Sequence, residues 1–185
     1  MTPVSQRILA SKDRADGHNG LGIAGDCFRA SLATIMDLPY GQVPHVCHYA
    51  DSRTALDPED DDPLTEEHGG LWWRRIRGWL RENHGLDAAC YAWEQPDLPS
   101  GLLELRHADT DEPWTGYVLL GGRSPRGKFA HQVVGYYGWN DRGPYVYTEW
   151  DPHPSKAGLR TVEDITILVP PYDPPPPGEP AEVPA

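Results

Sequence analysis

The sequence is short of basic side chains, of phenylalanine, of paired cysteines and of long apolar runs, and each shortage excludes something. Lys and Arg number 16 against 28 Asp and Glu, a formal net charge of -12. That balance argues against nucleic-acid backbones and anionic membrane surfaces as direct partners. No basic stripe with interleaved aromatics offsets it. The longest apolar runs fall far short of the roughly 20 residues that a membrane-spanning helix needs. The opening Met1-Thr2-Pro3-Val4-Ser5-Gln6-Arg7 lacks the basic-then-apolar layout of a signal peptide. The three cysteines, Cys27, Cys47 and Cys90, are an odd count, widely spaced and without a CxxC pair. This predicts a reducing compartment, the cytoplasm, rather than a disulfide scaffold. Only two phenylalanines stand beside seven tryptophans and nine tyrosines, so the aromatic content is amphipathic and suits either a cleft wall or ordinary core packing.

What is present, in 185 residues, suits one domain with a sizeable core. The chain is organised around Gly25-Asp26-Cys27-Phe28-Arg29-Ala30-Ser31-Leu32-Ala33-Thr34-Ile35-Met36. Phe28, Leu32, Ile35 and Met36 recur at helical spacing, and Asp26 is a good N-cap type, which puts Cys27 in the first turn. A thiol there faces unpaired backbone N–H groups and the positive end of the helix dipole, both of which favour the thiolate. The helix is expected from about Cys27 to Asp37 and to stop before Leu38-Pro39. Residues 51–67, around Asp57-Pro58-Glu59-Asp60-Asp61-Asp62-Pro63, read as a solvated acidic loop. The loop lacks the alternating Asp/Asn and central glycine of a calcium-binding EF-hand. A second helix follows, with Leu71, Trp72, Ile76, Trp79 and Leu80 on one face and Arg74, Arg75, Arg77 and Arg81 on a solvated one. Gly85 is its expected left-handed cap. Strands are predicted at Leu86–Trp93, Gly116–Gly121, His131–Trp139, Tyr145–Trp150 and Ile165–Val169, with a hairpin turn at Asn140-Asp141-Arg142-Gly143-Pro144. Helices first and an antiparallel meander second is α+β order. Residues 170–185 form a proline-rich tail, predicted to be extended or disordered.

The chemistry-bearing residues follow from the hairpin. His131 opens one of its strands and Asp151 closes the other, so antiparallel pairing makes them neighbours. A carboxylate on one imidazole nitrogen leaves the other for a thiol, which is the nucleophile–base–orienter logic of catalytic triads. Cys27, at a helix start, supplies the thiol.

This arrangement resembles the papain-like cysteine peptidase superfamily, in which a cysteine opens a helix and a histidine and an Asp or Asn follow on an antiparallel sheet. It is more closely similar to a group of small uncharacterised phage and bacterial proteins. They share a glutamine near the start, a Gly-Asn/Asp-Cys helix, a Leu-Pro…Val-Pro connection and an Asp-Pro-His-Pro-Ser…Gly-Leu segment. Here those are Gln6, Gly25-Asp26-Cys27, Leu38-Pro39 with Val43-Pro44, Ser124-Pro125-Arg126-Gly127, His131, and Asp151-Pro152-His153-Pro154-Ser155 with Gly158-Leu159. The resemblance covers Gln6 to Val169, apart from the acidic loop. It implies a single papain-like domain over residues 1–169, with the Cys27 helix packed on an antiparallel sheet and no cofactor. Its function would be an intracellular cysteine hydrolase or acyltransferase, in a host cytoplasm if phage-encoded, acting on a peptide or isopeptide bond of a protein or peptide substrate. The implied catalytic set is Cys27, His131 and Asp151, with Gln6 donating to the oxyanion. For Gln6 to serve, Ala10–Ala24 must be an inserted glycine-rich loop, which costs little closure entropy; Asn19 is the nearer alternative. A deamidase or transglutaminase would use the same residues. A different class remains in view, a catalytically degenerate papain-like module that binds a host factor.

A metal reading competes through His45-Val46-Cys47-His48, with Asp151 and His153 as possible additions. Three ligand types within four residues match no common zinc spacing and crowd one short turn, so no metal is expected. Elemental analysis of protein purified without added metal should find no stoichiometric zinc. One equivalent of zinc, lost in Cys47→Ser, would reverse that expectation.

Overall fold

The computed structural model describes residues 1–7, 26–44, 66–93, 98–107, 109–126 and 130–171, with only the backbone described over 66–72. The acidic run 51–65, Asn19 and its segment, His45, Cys47, His48 and the tail from 172 lie outside these residues. The fold is α+β: helix α1 (Cys27–Ile35), a 3-10 turn (Tyr40–Gln42), helix α2 (Glu66–His84), strand β1 (Asp87–Ala92), a short helix α3 (Ser100–Leu103), then β2 (Gly116–Arg123), β3 (Ala130–Asn140), β4 (Gly143–Trp150) and β5 (Thr161–Val169). Helix α2 starts at Glu66, inside the stretch read as acidic loop, and α3 was not anticipated, since four residues carry no readable period. No described helix is long and apolar enough to cross a membrane.

The five strands form one antiparallel sheet in the order β1-β5-β2-β3-β4. It departs from the predicted meander at one edge. The last strand inserts between β1 and β2, which is why Ile165 and Ile167 are buried in the middle of the sheet. The alternation of strand side chains divides the interior in two. Leu119 and Ala88 pack with Leu32, Ala33, Val43, Ile76 and Leu80 beneath α1 and α2. Val118 and Leu120, the residues on either side of Leu119, pack with Leu102, Val133, Tyr137, Ile165 and Ile167 on the opposite face. A strand buried on both faces reads as a continuous apolar run, as Val118–Leu120 does.

Helix α1 ends through its backbone. Asp37 takes the left-handed conformation (φ 55°), with Leu38 N–H donating to the Ala33 carbonyl (2.9 Å) and Asp37 N–H to that of Thr34 (3.3 Å). This is the Schellman arrangement, with an aspartate where glycine is usual. The Asp37 carboxylate accepts the Thr2 N–H at 2.6 Å, and Val4 N–H donates to the Thr34 hydroxyl at 2.9 Å. Residues 1–7 thereby run back along α1. The β3–β4 hairpin closes on Asp141-Arg142, with Asn140 paired to Gly143. Gly143 supplies the positive φ of 109° that this turn needs, and the Asn140 side-chain oxygen accepts the Arg142 N–H at 2.8 Å.

One charge reading changes. Arg77 and Arg81 are not merely a solvated face, because both clasp the Asp87 carboxylate at the start of β1, with closest contacts of 2.6 and 2.5 Å. Asp87 is buried, and the Arg77 hydrogen bonds hold its carboxyl well below the usual carboxylate range. Asp87→Asn should therefore lower stability at pH 7 by about 2 kcal/mol, the worth of hydrogen bonds to a charged group. A group with a depressed folded-state pKa stabilises above its unfolded value, so the difference between wild type and variant should shrink as pH falls below about 4. Urea melts at pH 7 and at pH 3 measure both; an equal difference at the two pH values would remove Asp87 ionisation as the cause.

Candidate active site

The site is built where the start of α1, the start of β3 and the end of β4 converge. Cys27 is the first residue of α1 and half-buried, with a free thiol. His131 and Asp151 are both buried, at 3% and 5% exposure. The hairpin register brings the latter two together. Val134 pairs with Trp150, and a bulge follows before Gly135 pairs with Thr148. The extra residue, Glu149, keeps Tyr147 and Trp150 on one side of the sheet and turns the chain into Asp151.

His131 Nε2 lies 2.8 Å from Asp151 Oδ1, and the Cys27 side chain is near enough to interact with the same imidazole. With Nε2 committed to the carboxylate, Nδ1 is the nitrogen left for sulfur. The carboxylate accepts only, so Nε2 carries the proton in that bond and a neutral imidazole offers its Nδ1 lone pair to the thiol. The nitrogens are thus used in the reverse sense from the serine-protease triad. Burial alone would push the His131 pKa down. The hydrogen bonds from Asp151 and Cys27, with the charge on sulfur, outweigh this and hold it above its ordinary value, against a smaller opposing push from Arg126.

Asp151 is held by several donors. Besides His131, Oδ1 accepts the His153 N–H at 2.8 Å. Oδ2 accepts the Gly158 N–H at 2.8 Å and pairs with Arg126 Nη1 at 3.4 Å. Desolvation would raise its pKa, but the bonds from His131 and from the His153 and Gly158 N–H groups reverse the sign and leave the carboxyl far below its usual value. The Asp-Pro-His-Pro-Ser segment is the loop that makes this possible. Lys156 (φ 52°) and Gly158 (φ 68°) turn it back, Lys156 Nζ donates to the Asp151 carbonyl at 2.5 Å and sits 3.2 Å over the Trp150 ring. His153 Nδ1 accepts the Ser155 N–H at 3.0 Å, and its ring stands 6.2 Å from that of His131, edge to face.

Gln6 is buried and joins the same junction through the backbone. Its N–H donates to the Pro152 carbonyl at 3.1 Å, and the next residue, Arg7, donates its N–H to Asp26 Oδ2 at 3.1 Å. Gln6 is therefore held between the residue after Asp151 and the residue before Cys27.

Asp26 departs from expectation. It occupies the N-cap position, and its carbonyl accepts the Ala30 N–H at 3.0 Å, but its side chain makes no capping bond. The carboxylate is instead taken by Arg7 N–H and by the Tyr40 hydroxyl. Tyr40 is in turn sandwiched between the guanidinium groups of Arg7 and Arg29, at 4.2 and 4.1 Å from its ring centre.

No family model, curated protein or solved structure matches the chain. The site therefore rests on its own geometry. Among the described residues no group of three or more His, Cys, Asp or Glu side chains could hold a metal ion. Sequence reasoning missed Arg126 as a partner of Asp151. The only signal was its place in Ser124-Pro125-Arg126-Gly127, a turn in which Ser124 Oγ accepts the Arg126 N–H at 3.2 Å.

The electrostatics give a signed pH dependence. A histidine with a raised folded-state pKa stabilises fully below its unfolded value and loses that contribution as pH rises through the folded one; an aspartate with a depressed pKa does the reverse. The His131–Asp151 contribution should therefore be largest between about pH 4 and pH 6.5. By NMR, His131 should titrate above the ordinary histidine value, and Asp151→Ala should lower its midpoint by about one pH unit or more. An unchanged midpoint in that variant would disconnect the two residues.

Proposed function

We propose that the protein is a papain-like cysteine hydrolase or acyltransferase working in a reducing compartment, the cytoplasm, on a peptide or isopeptide bond. One observation carries the reading: a thiol at a helix start lies beside an imidazole that is hydrogen-bonded to a buried carboxylate. Two papain-like features support it further, the antiparallel sheet behind the cysteine helix and the order Cys, His, Asp along the chain.

In this reading Cys27 gives its proton to His131 Nδ1, and the thiolate attacks the carbonyl carbon. The tetrahedral oxyanion is met by the Cys27 backbone N–H and by the Gln6 side chain. A helix start leaves its first N–H groups without intrahelical partners, and the Asp26 side chain, occupied elsewhere, does not fill them. Collapse of the intermediate expels the amine, which takes the proton from imidazolium. Water then attacks the thioester as His131 removes its proton, and the acid leaves with free Cys27 restored. Asp151 orients the ring throughout. An amine in place of water makes the reaction a transfer, and a primary carboxamide substrate makes it a deamidation, with the same residues in the same roles.

Alkylation with iodoacetamide at pH 6 to 7 tests this. Cys27 should label well ahead of Cys47 and Cys90; desolvation around the Cys90 sulfur, with Asp164 nearby, pushes that thiol up. His131→Ala should slow Cys27 labelling about tenfold, the worth of about 1.4 kcal/mol, while Asp151→Asn keeps much of it. Equal rates at the three cysteines, or no effect of His131→Ala, would make Cys27 a packing residue and leave the binding-module reading in its place.

A further inference from the structure

Away from this site, four tyrosines form a row across three neighbouring strands. The register sets Tyr117 of β2 opposite Tyr136 of β3 and Tyr136 opposite Tyr147 of β4. Tyr145, two residues before Tyr147, shares its side of β4. The ring centres are spaced at 5.4 Å for Tyr117–Tyr136, 5.8 Å for Tyr136–Tyr147 and 6.2 Å for Tyr145–Tyr147, the last pair within 12° of parallel. The row has a built-in seat. Gly138 pairs with Tyr145, and a Cβ there would lie 2.7 Å from the Tyr145 ring and 3.0 Å from Tyr136. Only a glycine lets the Tyr145 ring lie across β3 against its neighbour. Among the described residues, Tyr117 and Tyr147 are two of the few large hydrophobic side chains left exposed, at 40% and 47%.

We propose that this row is the docking surface for the chain's own proline-rich segment Pro174-Pro175-Pro176-Pro177. A polyproline II strand rises about 3.1 Å per residue, so two residues advance it by about the spacing of the rings. Aromatic-lined surfaces bind such strands because the strand is already extended and loses little entropy on docking. The connection is short. Strand β5 ends at Val169, and Leu119 lies opposite Thr166, so two further steps along each strand carry Tyr117 to the level of Leu168. The described chain ends at Pro171, and three residues, about 9 Å of polyproline II, reach Pro174. The tyrosine row starts on the strand next to the one that the segment leaves. Tethering at this distance gives a millimolar effective concentration, so a contact with a Kd of ~0.25 mM slows chemical modification of the covered rings about fivefold.

The test uses the full chain and nitration by tetranitromethane, mapped by mass spectrometry. Replacing Pro174, Pro175, Pro176 and Pro177 together by serine changes nothing within the sheet. It should raise nitration of Tyr117 and Tyr147 about fivefold and leave Tyr91, outside the row, unchanged. Wild-type protection should not depend on protein concentration. In a second arm, Tyr147→Ala should speed cleavage after Glu182 by a glutamate-specific protease. Equal nitration in wild type and the serine variant overturns the proposal, as does unchanged cleavage in Tyr147→Ala. Protection that disappears on dilution overturns it too, and identifies the occupant as the tail of a second copy.

Discussion

The Asp151 carboxylate is the point on which the rest of the structure depends. A charged carboxylate with almost no solvent exposure costs several kcal/mol unless donors replace the lost water. Here four donors do so, from four places in the chain: His131 at the start of β3, Arg126 in the turn before it, and the backbone of His153 and Gly158 in the loop beyond β4. The hairpin bulge, the two prolines around His153 and the left-handed residues Lys156 and Gly158 all make sense as the means of bringing those donors to one point. The loop is folded around a charge, and the charge fixes the imidazole.

A second junction ties the cysteine to this centre. Residues 1–7 bond to both sides of the site: Gln6 N–H to Pro152, Arg7 N–H to Asp26, and the Val4 carbonyl to the Trp150 indole at 3.3 Å. Asp26 is spent on Arg7 and Tyr40 and not on its own helix. A capping Asp26 would have covered first-turn N–H groups, which the proposed acyl transfer would need open. Helix stability lost at the cap, typically about 1 kcal/mol, is offset by the bonds that anchor the N-terminal segment.

Much of this was legible in the sequence, for identifiable reasons. Helix α1 was readable because Phe28, Leu32 and Ile35 mark a period, and the five strands because β-branched and aromatic runs alternate with turn residues. The meeting of His131 with Asp151 followed from a local hairpin, and a local pairing needs only one register. The place of β5 was not legible, since pairing a last strand between β1 and β2 depends on burial on both faces and leaves no local mark. Asp26 was misread for a related reason. Its N-cap propensity is local, but Tyr40 and Arg7, which outcompete the cap, are distant in sequence. Arg77 and Arg81 looked like a solvated face until Asp87 at the strand start gave them a partner.

Arg126 shows how the pieces balance. An aspartate beside an imidazole, acting alone in a buried site, drives the histidine strongly toward the cation, and a base that is already protonated cannot accept a proton. Burial pushes the other way and favours the neutral ring. The bonds from Asp151 and Cys27 win that contest, but Arg126, itself 8% exposed at the side chain and paired to the same carboxylate, takes back part of the gain. The guanidinium also keeps Asp151 from standing as a lone buried charge when the ring is neutral. In the proposed mechanism, proton transfer from Cys27 to His131 would make an ion pair beside the Asp151–Arg126 pair, with no change in net charge. Asp151 and Cys27 on one side and burial and Arg126 on the other set the charge state of one imidazole.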